Sequence, residues 1–95
     1  MILHVTNARY LDGYKVEVSF NNGQKGIADL NEVLRGPVFQ PLEDISIFAQ
    51  LKLDKELDTI SWPNGADIAP EYLYFQAFKD DLKLQEQFKT WGYMP

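Results

Sequence analysis

Apolar and polar positions alternate with a period of two over residues 14–20, where Tyr, Val, Val and Phe alternate with Lys, Glu and Ser. Such alternation is typical of a strand with one buried side and one side facing water. Turn signals at Asp12-Gly13 and Asn21-Asn22-Gly23 bound this strand. Because both connections are short, the pattern predicts an antiparallel meander of three strands within residues 2–28.

Two short helices are predicted next. Asp29 and Glu32 have the spacing of a capping box, in which Asp29 accepts a hydrogen bond from the backbone three residues on and Glu32 reaches back. Gly36 occupies the position of a left-handed C-terminal cap, and Pro37 prevents the helix from continuing. A further helical start is predicted from residue 41 onwards.

The second half of the chain predicts a hairpin and then two helices. Residues 51–54 and 57–62 alternate again and indicate two strands with a charged turn between them. Pro70 suits the first turn of a helix, and the following residues, up to Phe78, are apolar almost all round. A C-terminal helix over residues 80–91 places Leu84, Phe88 and Trp91 on one stripe, which we expect to dock on the sheet of this chain rather than on a partner helix.

These elements predict an α+β fold. It consists of an N-terminal antiparallel three-stranded meander, a second hairpin, and helices packed on one face of the sheet. The 95 residues suffice for a single domain but not for two independent cores.

Composition narrows the classes of function. The chain has no cysteine, no long apolar run and no basic segment leading into one, so we expect a cytoplasmic protein without disulfides or a membrane span. The net charge is −5 and the nine Lys and Arg residues are scattered singly. Because nucleic-acid binding depends on clustered phosphate contacts, we expect no direct binding to DNA or RNA.

The sequence offers little for catalysis or for cofactors. His4 is the only histidine and is expected to be a surface or half-buried strand residue. Asp54, Glu56 and Asp58 begin like a calcium loop, but Thr59 and Gly65 stand where that loop requires Gly and Glu. The glycines form no phosphate-binding motif, and the serines lack a nucleophile-elbow context. We therefore predict no catalytic residue, no metal and no cofactor.

The segment 62–71, Trp-Pro-Asn-Gly-Ala-Asp-Ile-Ala-Pro-Glu, combines an aromatic residue, two prolines, a turn and two carboxylates. In a structural interpretation, Trp62 is core and the two carboxylates cap the following helix. In a functional interpretation, the segment and the helix after it form an exposed recognition edge for a protein, where aromatic residues are enriched. The candidate contact surface consists of Trp62, Asn64, Asp67, Glu71, Tyr72 and Tyr74.

The same residues resemble the DUF2442 family of small, mostly bacterial proteins. The resemblance is carried by residues 36–42 (Gly-Pro-Val-Phe-Gln-Pro-Leu), by Phe48 with the hairpin after it, and by residues 62–74, and it covers about residues 1–78. It implies an α+β module without established catalytic residues. Some similar proteins carry a helix-turn-helix domain after this module, and others are encoded beside another small protein, as in toxin–antitoxin pairs. The stretch from residue 78 to 95 is too short for such a DNA-binding domain.

Two function hypotheses follow, with a carboxylate or metal enzyme as the least supported third. The first is a non-enzymatic protein-interaction or regulatory module, the antitoxin-like half of a small bacterial pair, with a protein partner. The alternative is a small-ligand sensor with a pocket between the sheet and the aromatic helix, and with Asp67 or Glu71 as polar anchor. The sequence leaves homo-oligomerisation open.

Overall fold

A computed structural model describes residues 2–95 and contains the predicted three-stranded meander. Its strands are β1 (Val5–Tyr10), β2 (Lys15–Phe20) and β3 (Lys25–Asp29), which pair antiparallel in the order β1-β2-β3. The register shifts between Val5 and Asn7, so β1 carries an irregularity that β2 does not share. The predicted α+β fold is confirmed.

The alternation in β2 decides which face of the sheet is buried. The buried residues of β2 are Val16, Val18 and Phe20, whereas Lys15 at the start of the strand is exposed. Ile27 in β3 lies on the outer face with 52% of its surface exposed. One face of the sheet therefore carries the core, and the other face meets solvent.

Short 3-10 turns follow β3, at Asn31–Val33 and Gln40–Glu43, and lead into α1 (Ile45–Phe48). The predicted capping box does not form. The Asp29 side chain accepts from the backbone N–H of Asn31, two residues on, at 3.1 Å. The reason is that Asp29 still pairs with Lys15 in the sheet, so its backbone belongs to the strand and leaves room for only one helical turn. Gly36 adopts the predicted left-handed conformation, with φ +86°.

The second hairpin consists of β4 (Lys52–Asp54) and β5 (Thr59–Ser61), as predicted. Asp54 closes the turn by accepting from the backbone N–H groups of Glu56 and Leu57 at 2.9 and 3.2 Å. The hairpin lies beside the edge strand β1, where the N–H of Val5 donates to the Asp58 carbonyl at 2.9 Å. The Asp54 carboxylate thus stabilises the turn of this hairpin.

Helix α2 (Pro70–Phe78) packs on β3, with Pro70 in its first turn as predicted. The approach is so close that a Cβ on Gly26 would lie 2.9 Å from the Phe78 ring and 3.3 Å from the Ala77 Cβ. Glycine at position 26 therefore sets the distance between the sheet and this helix.

The predicted C-terminal helix is shorter than residues 80–91. It begins as a 3-10 turn (Leu82–Leu84) and continues as α3 (Gln85–Thr90). Its buried Phe88 contacts the rings of Tyr74 and Phe75 in α2, with centroid distances of 6.3 and 5.1 Å. We expected this stripe to dock on the sheet, and this expectation is corrected. The central ring of the stripe, Phe88, packs on α2 and covers the apolar outer side of that helix. Within residues 2–95, no helix is long and apolar enough to cross a bilayer.

Candidate functional site

The segment 62–71 folds as a tight turn between β5 and α2. The Trp62 N–H donates to the Ala66 carbonyl at 2.9 Å, and Gly65 adopts φ +89°. The Trp62 side chain is only 2% exposed, and its indole N–H donates to the Phe48 carbonyl at 2.9 Å. Trp62 is therefore a core residue, as in the structural interpretation, and it presents no surface to a partner.

Tyr74 also belongs to the core, with 8% of its surface exposed. Its ring lies 5.0 Å from Phe20 and 4.8 Å from Phe78, and its hydroxyl accepts from the Asn22 side chain at 3.3 Å. The ring of Trp91 closes the other side at 6.1 Å. The interpretation of Tyr74 as an exposed contact residue is corrected, because α3 and the C-terminal tail cover the side of α2 that was expected to face outwards.

Asn64 remains exposed but also braces the fold. Its side-chain N–H donates to the Val38 carbonyl at 2.9 Å, and its side-chain oxygen accepts from the Ala66 N–H at 3.1 Å. The amide therefore ties the 62–66 turn to the segment that carries Phe39. Both of these segments then border a common space.

Asp67 does not have the capping role that the structural interpretation gives it. The N-cap of α2 is Ala69, and within residues 2–95 no side-chain hydrogen bond caps this end of the helix. Asp67 is exposed, and its backbone forms an isolated bridge with Ser61 of β5. Glu71 lies in the first turn of α2 and is half-buried. Within the described residues, the Asp67 carboxylate therefore takes part in no hydrogen bond.

An open groove of about 310 Å³ lies at the N-terminal end of α2. One wall comes from the 3-10 region, with Val33 and Phe39, and the opposite wall comes from the segment that leads into α2. Its surface is mostly apolar and aromatic, and within residues 2–95 Asp67 is the single charged residue that lines it. The full lining is Val33, Phe39, Asp67, Ile68, Ala69, Tyr72 and Tyr93.

The structure brings some of the predicted contact residues to this groove and removes others. Asp67 and Tyr72 line it. Glu71 does not line it but lies near enough to Tyr93 to raise the pKa of that phenol. The sequence reasoning missed Phe39 and Tyr93. Phe39 could have been found, because it lies in the 36–42 segment that carries the family resemblance. Tyr93 could not, since nothing in the local pattern indicates that the tail folds back on α2.

Tyr93 forms the aromatic end of the groove. Its ring lies 5.2 Å from Tyr72 and 5.3 Å from Phe75, and its N–H donates to the Phe88 carbonyl at 3.0 Å. Burial raises the pKa of the Tyr93 phenol above the ordinary value of 10.0, and the negative charge of Glu71 raises it further. The charge of Glu71 therefore acts on the aromatic end of the groove.

Replacing Glu71 by glutamine is expected to lower the pKa of Tyr93 towards its ordinary value without restoring it fully, because burial is the larger cause. Since the raised pKa disfavours the phenolate in the folded state, Tyr93 stabilises the fold below pH 10 and this contribution is lost as the pH rises through the folded pKa. Tyrosine-resolved NMR titration of the native protein and of Glu71→Gln checks this shift. An identical Tyr93 titration in both proteins would contradict the proximity of the carboxylate.

The remaining chemistry of the described chain is sparse. His4 is half-buried immediately before β1, with its Nδ1 3.6 Å from the Asp58 carboxylate. Across residues 2–95, no group of three or more His, Asp and Glu side chains is arranged to hold a metal ion.

The fold and the groove define a small α+β domain with an open, mainly apolar groove that is lined by one carboxylate, Asp67. The family model of DUF2442, a protein family of unknown function, matches residues 5–79, which is most of the chain. The chain belongs to the DUF2442 family, as the sequence predicts. No curated protein matches the chain.

A solved structure has the same fold. It is the crystal structure of a proposed DNA-binding protein, NE0471, from Nitrosomonas europaea ATCC 19718, with a TM-score of 0.75 and 15% sequence identity. The comparison covers 100% of this chain and 64% of that one, so this chain spans less than two thirds of the length of its structural neighbour. At this identity the similarity extends to the fold alone.

Proposed function

We propose that the domain is a non-enzymatic protein-interaction module that binds a cytoplasmic protein partner through the groove at the N-terminal end of α2. The observation that carries this proposal is the groove itself: it is open, about 310 Å³ in volume, and walled by apolar and aromatic side chains. Phe39, Tyr72 and Tyr93 supply the ring surface that is enriched at the centres of protein interfaces. The biological role we propose is regulatory, as the antitoxin-like half of a small bacterial pair.

The chemistry of the groove supports binding rather than catalysis. General acid–base catalysis needs a group whose pKa lies near the working pH. The pKa of Tyr93 is raised away from neutrality by burial and by the charge of Glu71, so its phenol does not meet this requirement. A module that holds a partner needs no such group.

Any contact with DNA is proposed to be made by the partner rather than by this domain. NE0471 is described as DNA-binding, but more than a third of that chain has no counterpart in this one. The net charge of −5 opposes contact with a phosphate backbone and favours contact with a basic protein.

Blocking the groove tests the proposal. Ala69 is exposed and lines the groove, so Ala69→Trp is expected to fill it while changing the free energy of unfolding by less than about 0.5 kcal/mol, as surface substitutions usually do. Tagged native protein should retain a stoichiometric protein from the lysate of its native cell, and Ala69→Trp should lose it. Mass spectrometry of the retained proteins and thermal denaturation of the variant provide the readouts.

The matched control introduces the same side chain elsewhere. Ile27→Trp enlarges an exposed residue on the outer face of the sheet, away from the groove. This variant should retain the partner as well as the native protein does. Retention by Ala69→Trp together with loss in Ile27→Trp would move the interface to the sheet and contradict the proposal.

A small-ligand sensor is the second candidate, because the groove volume lies at the lower end of the range of roughly 300–1,000 Å³ that is usual for ligand pockets. The groove lies at the end of α2 rather than between the sheet and the helix, where α2 and β3 are in direct contact. Asp67 would still be the polar anchor. A thermal-shift screen of metabolites separates the two candidates, because a ligand that binds only the folded state raises the melting temperature and Ala69→Trp would abolish that rise.

A further inference from the structure

Asp67 lines the groove and Glu71 lies near the groove residue Tyr93, and within residues 2–95 neither carboxylate forms an ion pair. Within residues 2–95, the ion pairs join His4 to Asp58, Arg9 to Glu17, and Lys89 to Glu86, and none includes Asp67 or Glu71. Neither carboxylate accepts a hydrogen bond within these residues, and Asp67 does not cap α2. The positive end of the α2 dipole favours acidic residues at this end of the helix, but no side chain of the described residues neutralises either carboxylate.

The surroundings strengthen the effect of these charges. Aromatic and aliphatic side chains line most of the groove, and a charge beside such an apolar surface attracts a cation more strongly than a charge in bulk water does. Glu71 acts on the same region, since its charge adds to burial in raising the pKa of Tyr93. A ligand that fits would present an apolar group to the walls and a positive charge to the rim.

We infer that the groove binds a peptide segment of the partner in which a large apolar side chain is flanked by lysine or arginine, the apolar group lying between Phe39 and Tyr72 and the cation lying against Asp67 and Glu71. This inference rests on the proposed function and names the chemistry of its partner. Arginine fits best, since its planar guanidinium can pair with a carboxylate and stack on a tyrosine ring.

A second copy of this chain is the competing occupant. Leu82 is 86% exposed and is followed by Lys83, so a neighbouring molecule could offer a segment of the required kind. The net charge of −5 on each copy opposes this association, whereas it favours a basic partner. Charge complementarity therefore favours a foreign segment.

The test is selection of a phage-displayed library of random 12-residue peptides on the immobilised native protein, with subtraction on Ala69→Trp. We expect retained peptides to share Leu, Phe or Met with Lys or Arg within two positions. A synthetic peptide of this consensus should bind the Asp67→Asn/Glu71→Gln double variant about tenfold more weakly than the native protein, as measured by fluorescence anisotropy at low salt. The difference should shrink as salt is added, because screening weakens the charge pairs.

The control double variant Asp12→Asn/Glu56→Gln changes the net charge by the same amount at exposed positions that do not line the groove. It should bind the peptide as the native protein does. Equal weakening in both double variants would mean that overall charge, not the groove, attracts the peptide. Retained peptides without basic residues, or no retention above the Ala69→Trp background, would also overturn the inference.

Three outcomes distinguish a failure of this inference from a failure of the proposed function. If capture of the partner requires an open groove but is normal with Asp67→Asn/Glu71→Gln, the proposed interaction module is supported and the inference of a basic segment is contradicted. If native protein sediments as a dimer and Leu82→Ser is monomeric, the occupant is a second copy and the inference is overturned. Groove-independent capture would remove the proposed function itself.

Discussion

Replacing Trp62 by alanine is expected to lower the free energy of unfolding by about 3–5 kcal/mol. The side chain is 2% exposed, its ring lies 5.6 Å from Phe48, and its indole N–H donates to the Phe48 carbonyl. The substitution removes a large buried ring and also the hydrogen bond from the indole, while the Phe48 carbonyl keeps the Leu51 N–H as a donor at 3.2 Å. Small domains unfold with only about 5–15 kcal/mol, so the loss is a large share of the total. Urea denaturation followed by far-UV circular dichroism measures it.

Trp62→Phe and Trp91→Ala are useful comparisons. Trp62→Phe keeps an aromatic ring but loses the indole hydrogen bond, so it should cost less than alanine, with about 0.5–1.5 kcal/mol of the loss coming from that bond. Trp91 is only half-buried, and its removal should cost less than that of Trp62. A loss smaller than about 1 kcal/mol in Trp62→Ala would contradict the buried position of the indole.

Replacing Tyr74 by alanine should also destabilise the fold, by about 3 kcal/mol or more. Its ring contacts Phe20 of the sheet, Phe78 of α2 and Phe88 of α3, so its loss leaves a cavity where three elements meet. Tyr74→Phe keeps this ring and loses only the hydrogen bond from Asn22, for which we expect less than about 1.5 kcal/mol. Equilibrium unfolding of the two variants gives the comparison.

Equal stability of Tyr74→Ala and native protein would return Tyr74 to the candidate contact surface. With the expected loss, Tyr74→Ala cannot report on binding, because a partly unfolded domain loses any partner. Tyr72 and Ala69 are the positions at which binding can be weakened with the core intact, since both line the groove and neither is fully buried.

The strands could be predicted from the sequence because their signals are local. The alternation in β2 and the turns at Gly13 and Gly23 depend on neighbouring residues only, and both glycines adopt the positive φ that such turns require, 51° and 85°. The capping box at Asp29 failed for the opposite reason. Pairing with Lys15 across the sheet overrides a preference that the local residues express.

Which face of α2 is exposed could not be predicted, because a helix that is apolar almost all round has no continuous polar side to orient it. Its environment is decided by the tail, where Phe88, Trp91 and Tyr93 cover the ring of Tyr74 or Phe75. The groove likewise depends on a non-local contact, the Asn64 amide with the Val38 carbonyl. The sequence therefore indicates the segment that borders the groove but not which of its residues face outwards.

The contact between Gly26 and Phe78 couples the evolution of two positions that are distant in the sequence. A side chain at position 26 and a phenyl ring at position 78 compete for one volume, since the added Cβ would lie 2.9 Å from the ring. In DUF2442 proteins that share this packing, the two residues are expected to change together, with a larger residue at 26 accompanied by a smaller one at 78. A lineage that enlarges position 26 alone would push α2 away from β3, and because α2 begins at the groove, the shape of the groove would change with it.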